Sequence, residues 1–246
     1  MSLSSLRVLV VGVGGLGCPA AWALAEAGVG TLWLADDDEI DVSNLHRQIL
    51  FGPADVGRDK VATAVAALST RYPALSVRGH ATRFLPSVAA ELLDGVDVVV
   101  EGADNFATKF LVADACALAR KPVVHGAALR WLGTALAVGA VGRPCYRCVF
   151  EDLPPGPAPS CADAGVMGPV CGVVGALMAD LALRLVAPDL AGPDGAGRPG
   201  SAAGTLVSFD GKRLTRRTTR VASRAGCELC GEGAVAPPLV ASRYAS

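Results

Sequence analysis

Two cysteine pairs stand out among the side chains able to do chemistry: Cys145-x-x-Cys148 and Cys227-x-x-Cys230. They account for four of the eight cysteines. The apolar N-terminal stretch lacks a basic leader and is broken by glycines, so an export signal is not expected and cytoplasm is the default. Disulfides are disfavoured there, and four thiolates in two short knuckles suit a tetrahedral structural zinc site. A redox pair is the rival, but neither pair opens a helix after a strand. Such a site would tie the end of a sheet to a C-terminal hairpin. Cys161 stands alone after the proline-rich stretch 151–160, either as a candidate nucleophile or as a bystander. Cys18, Cys116 and Cys171 fall within apolar helical patterns and read as core.

A second group of residues points to a nucleotide. An apolar run, residues 7–11, leads into Gly12-x-Gly14-x-x-Gly17. Gly12 allows the tight turn, Gly14 lets backbone approach a phosphate, and Gly17 allows close helix–strand contact. The following helix N-terminus favours an anion. Asp36, ending the second apolar run, is placed to accept from ribose hydroxyls. The turn alone does not separate NAD from ATP or FAD. The next segment holds Asn44, Arg47 and Gln48, with Lys60 beyond, which is charge for a triphosphate rather than equipment for hydride transfer. Taken alone, Lys60 reads better as part of a solvated helix start. Asp37, Asp38 and Glu39 read as solvated acids. Asp104, after the apolar run 96–100, suits either a magnesium ligand or the N-cap of a helix beginning at Asn105.

Positioning these groups needs an α/β scaffold. The order is strand (7–11), glycine turn, helix (18–28) and strand (30–36). Further helices are expected over 59–73, 87–95 and 105–121, strands over 75–84 and 96–102, and two short strands around Arg130. Residues 205–211 and 212–222 resemble an antiparallel hairpin. The expected fold is one α/β domain over 1–246: a Rossmann-like, mainly parallel sheet with flanking helices, and an antiparallel C-terminal extension clamped by the four cysteines. Its nucleotide-binding part is 7–140, followed by a crossover, helix, hairpin and zinc part over 141–231 and a flexible tail over 232–246. A 52% apolar, 18% charged composition supports a sizeable core. A net charge of −1 argues against bulk nucleic-acid binding. The apolar stretch near 168–187 carries Asp180 and Arg184 and reads as a buried helix rather than a membrane span.

Taken together, "GVGGLG", "DDDEIDVSNLHRQILF", Lys60, "ADN", "CYRC", "CADAGVMGPVCGVVGAL", "FDGK" and "GCELCG" resemble the HesA/MoeB/ThiF adenylyltransferases, relatives of ubiquitin-activating enzymes. The resemblance implies ATP- and Mg²⁺-dependent adenylation of the C-terminal Gly-Gly carboxylate of a ubiquitin-fold sulfur carrier. The acyl-adenylate would then serve thiocarboxylate formation of the thiamine or molybdopterin type, with a sulfur donor protein as a further partner. It also implies a homodimer. It adds Gly15 to the nucleotide turn and Ser43 to the phosphate-lining set of Asn44, Arg47 and Lys60. Asp104 would hold Mg²⁺ with Asn105 beside it, Cys145, Cys148, Cys227 and Cys230 would bind Zn²⁺, and Cys161 matches a position that in ThiF-like members joins the carrier covalently. Family members carry an N-terminal arm with an arginine that enters the partner's site, whereas six residues precede Arg7 here. That short start motivates one alternative, a catalytically weak carrier-binding scaffold; a separate one is an adenylating enzyme of a secondary-metabolite sulfur pathway.

Overall fold

The computed structural model describes residues 2–154, 165–187 and 202–244. In chain order the elements are β1 (Arg7–Val11), α1 (Gly17–Glu26), β2 (Thr31–Asp36), α2 (Lys60–Arg71), β3 (Ser76–Ala81), α3 (Ala89–Leu93), β4 (Val98–Glu101), α4 (Phe106–Leu118), β5 (Val123–Leu129), β6 (Leu132–Val138), α5 (Gly168–Val186), β7 (Thr205–Asp210) and β8 (Thr215–Arg220). The strands make one sheet in the order β3-β2-β1-β4-β5-β6-β7-β8. Pairings from β3 across to β5 are parallel, and those from β5 across to β8 are antiparallel.

Side-chain alternation explains the layers. Val8 and Val10 of β1 face one side of the sheet with Leu32, Leu34, Val98 and Val100. α1, α2 and α5 cover that side through Leu24, Leu68, Val174 and Met178, among others. Leu9 and Val11 face the other side, under α3 and α4, with Leu92, Phe110 and Val112. Central strands buried on both faces need continuous apolar runs, which is what "RVLVV" and "VVV" are. β3, at the sheet margin, is half exposed and polar. The turn between β5 and β6 is Arg130-Trp131, with Arg130 in the left-handed region at φ 52°. α5 has 19 residues and, among the described residues, is the one helix long and apolar enough to cross a membrane, yet 56% of its apolar window is buried in this fold.

The flexible tail expected over 232–246 is corrected at 241–244 only, where the chain is anchored. Ala241–Tyr244 form a 3-10 turn with Tyr244 buried. The Tyr244 hydroxyl donates to Asp114 Oδ2 at 2.8 Å, and Arg243 Nη2 donates to Glu228 at 2.7 Å. The physical reason is Asp114, a fully buried carboxylate on α4 that also accepts from Arg147 at 2.8 and 2.9 Å. A buried carboxylate needs several donors, and the tail supplies one.

Candidate active site

Parallel neighbours β1 and β4 send their following helices to opposite faces, α1 to one and α4 to the other. A crevice opens outside the carboxyl ends of strands at such a switch point. It is a cleft of about 690 Å³. Gly12, Gly14, Gly15, Asp36, Ser43, Asn44, Arg47, Gln48, Lys60 and Asp104 all line it, although they are spread over more than ninety positions of the chain. Gly17 and Asn105 do not line it. A Cβ on Gly17 would lie 1.8 Å from the Gly12 carbonyl oxygen, so Gly17 serves packing of α1 on the turn. Asn105 is the N-cap of α4, its Oδ1 accepting from Thr108 N at 2.8 Å. The helix therefore begins at Phe106 rather than Asn105, and the capping role considered for Asp104 belongs to Asn105. Asp104 is left at the cleft.

The cleft's charges are fixed by local hydrogen bonds. Lys60 is 5% exposed, so the solvated reading is corrected. It opens α2 and donates to Asp38 Oδ2 at 2.7 Å. Asp37, Asp38 and Glu39 are exposed, as expected of solvated acids, with Asp38 paired to Lys60 and Asp37 3.7 Å from Arg83. Arg47 donates to Asn44 Oδ1 and to the Ser43 carbonyl, and its stem crosses Gly15, where a Cβ would meet it at 3.0 Å. Asn44 thus orients the arginine. Asp36 accepts from Val13 N at 2.6 Å and Asp38 N at 2.9 Å, which ties the end of β2 to the glycine turn. Burial pushes its carboxyl above the usual range, against the pull of Lys60. No side chain caps α1. The buried Gln48 Oε1 has no partner among the described residues. The two held cations fit a polyphosphate nucleotide. Asp104 offers the hard oxygen that magnesium prefers.

Sequence reasoning missed a buried network behind this cleft. Glu101, at the end of β4, is fully buried. It accepts from Lys109 Nζ at 3.0 and 3.1 Å, contacts His125 Nδ1 at 3.1 Å, and accepts from Ala103 N at 2.7 Å. Lys109 also donates to the Gly126 carbonyl. Burial opposes the Glu101 charge, but Lys109 and His125 outweigh it and hold the carboxyl below its usual range. Burial lowers the His125 pKa despite Glu101. His125, on β5, is packed and buried but not passive. The available signal was a glutamate closing an otherwise all-valine strand, and a lysine within the apolar pattern of α4.

The cysteine pairs converge. Cys145 and Cys227 Sγ lie 3.4 Å apart, Cys148 and Cys230 3.4 Å, and Cys145 and Cys148 3.9 Å. Zn–S bonds of about 2.3 Å in a tetrahedron put sulfurs about 3.8 Å apart, so the four thiols fit zinc. Burial works against the Cys227 thiolate, but amide donors of Cys230 and Leu229 bring its pKa down to about 7. Arg224 N donates to Cys148 Sγ at 3.4 Å. Between the first two cysteines, Arg147 is fully buried against Asp114 and Tyr146 reaches the cleft wall. The remaining candidate, Cys161, lies outside the described residues.

Comparison with known proteins agrees with this arrangement. Residues 1–229 match the ThiF family. The chain belongs to the ThiF family. Among its curated relatives, "Adenylyltransferase and sulfurtransferase MOCS3" of Bos taurus is 44% identical over 94% of this chain and 50% of its own length. The protein of that name from Dictyostelium discoideum is 38% identical over 94% of this chain and 53% of its own. This ThiF-family chain thus spans about half the length of the curated relatives it matches. Among solved structures, E. coli MccB with ATP superposes at a TM-score of 0.74, with 21% identity, over 93% of this chain and 67% of that one. MccB in complex with N-formylated MccA gives 0.77, at 21% identity, over 93% and 68%. These two likenesses bear on the fold alone.

Proposed function

We propose that this ThiF-family chain is an adenylyltransferase that activates the C-terminal Gly-Gly carboxylate of a ubiquitin-like sulfur carrier. The carboxylate attacks the α-phosphorus of ATP, the bond to the bridging oxygen breaks, and pyrophosphate leaves with the electron pair. The product is an acyl-adenylate ready for a sulfur nucleophile. Two anions must meet in this step. Arg47 and Lys60 line the cleft where they offset that repulsion, and fixed positions avoid a reorganisation cost at the moment of reaction. No general base is required, because the nucleophile is already an anion. Asp104 would hold Mg²⁺, which supplies charge neutralisation at the phosphates, and Asp36 would take the ribose. The four cysteines would hold Zn²⁺ in a structural role.

The observation that carries this reading is the union of Asp36, Arg47, Lys60 and Asp104 around the glycine turn in one cleft. The names of the relatives, which include adenylyltransferase, support it, as does the ATP held by the fold neighbour MccB. A homodimer, a sulfur donor protein and a pathway of thiamine or molybdopterin type belong to the same proposal. ATP–pyrophosphate exchange tests it: exchange that depends on a Gly-Gly-ended carrier is expected, and none at saturating Mg-ATP with that carrier refutes it. Mass spectrometry of the small protein that co-purifies would name the carrier.

A further inference from the structure

The cleft has two halves. Gly12, Asp36, Arg47 and Lys60 lie on the β1–β2 side of the switch point and hold the charge. Across β4, on the β5–β6 side, the lining turns apolar, with Leu129, Leu132 and Phe150. Tyr146 belongs to this second half. It is 4% exposed. Its ring is wedged against His125 at 4.5 Å, Phe150 at 4.8 Å and Phe110 at 5.2 Å. Its backbone sits between Cys145 and Cys148, in the first metal knuckle.

A buried tyrosine normally gives its hydroxyl a partner. Tyr244 does so, through Asp114. The Tyr146 hydroxyl has no hydrogen bond among the described residues, and its oxygen is not sealed inside the protein. The ring is held against three neighbours and Tyr146 lines the cleft, so its hydroxyl is an unpartnered donor on a fixed side chain of the cleft wall. The residues assigned above to the ribose and phosphates, Asp36, Arg47 and Lys60, lie on the other half, so the group expected here is the acyl partner.

We propose that the Tyr146 hydroxyl donates a hydrogen bond to the glycyl end of the acyl substrate, and that the four-cysteine knuckle fixes its place. This rests on the adenylation reading. Tyr146 is a specificity residue for the substrate carboxyl terminus, and it makes the cysteine cluster part of the site's geometry as well as a staple. The α-carbons of Gly-Gly need no side-chain space, so a main-chain acceptor on the peptide is the natural partner of such a donor.

The test uses Tyr146→Phe in the full chain, which keeps the ring and removes the hydroxyl. Two probes are titrated calorimetrically: 5′-O-(glycylglycyl-sulfamoyl)adenosine, which mimics the acyl-adenylate, and 5′-O-sulfamoyladenosine, which lacks the acyl part. The variant should bind the first about threefold to tenfold more weakly, the usual range for one neutral hydrogen bond. It should bind the second like the parent and retain the parent's zinc content. Equal affinity of both proteins for the glycylglycyl probe overturns the assignment, and so does an equal loss on both probes, which would place the hydroxyl on the nucleotide. A parent chain that binds neither probe overturns the adenylation reading itself.

Discussion

Replacing Glu101 by glutamine isolates the charge of the buried network from its shape. The glutamine side chain keeps an oxygen for the Ala103 amide and for Lys109, and its amide can donate to His125 Nδ1. What is lost is the negative charge 3.0 Å from Lys109 Nζ. The glutamate side chain is 0% exposed and that of Lys109 8%, so water cannot replace the lost partner. Removing one member of a buried ion pair costs about 3–5 kcal/mol, because the other charge is stranded. For a chain of this size each kcal/mol moves Tm by about 2–4 °C, so Glu101→Gln should lower it by about 6–20 °C. Lys109→Met should be costly for the mirror-image reason. The double variant removes both charges and should recover at least half of the Glu101→Gln loss. Differential scanning calorimetry of the four proteins closes the cycle. A Glu101→Gln shift below about 3 °C, or a double variant that loses the sum of the two singles, would refute the view that Lys109 and Glu101 exist in the fold as a charged pair.

Three further outcomes are expected. Asp104→Ala should cut carrier-dependent pyrophosphate exchange by about a hundredfold or more. Because Asp104 lines the cleft and the cap of α4 is Asn105, Tm should move by no more than about 2 °C, and retained activity would remove Asp104 from the metal role. Cys145→Ala should lose zinc by elemental analysis and unfold at lower temperature, since metal binding here is folding energy, whereas Cys116→Ala, in the core, should keep it. Stoichiometric zinc in Cys145→Ala would refute the site. The fold should also weaken in mild acid. His125 has a folded pKa below its usual 6.5, so the stability it confers is full above that value and drains away as pH falls through the folded one. Glu101, also depressed, adds a second loss as pH falls below its usual 4.5. Thermal melts between about pH 7 and 5 should therefore slope less for His125→Gln than for the parent, and parallel profiles would count against it.

Much of this was legible in the residues themselves. β1, β4 and the glycine turn announce themselves because a strand buried on both faces has no alternative to an apolar run, and Gly17 has no alternative to glycine. The two Cys-x-x-Cys knuckles are visible because metal geometry constrains spacing locally. Asp36, Arg47, Lys60 and Asp104 could be named one by one as nucleotide residues. Their meeting was inference, because contacts between β2, α2 and β4 depend on strand order, and strand order is not a local property.

The rest was decided by tertiary structure. Lys60 reads as solvated until the fold buries it against Asp38. Asp104 and Asn105 compete on paper for one cap, and the choice falls to the residue whose side chain reaches Thr108. Residues 232–246 have the composition of a loose end, yet Tyr244 is drawn to a carboxylate that lies 130 positions earlier. Glu101, Lys109 and His125 carry no motif, because their purpose is to satisfy one another across three elements. Sequence alone determined which groups can carry phosphate charge and metal. Only the fold decided which buried charges are paired, and that Tyr146, with its hydroxyl unpartnered, comes to the cleft wall, because burial and partnership are properties of segments brought together from far apart in the chain.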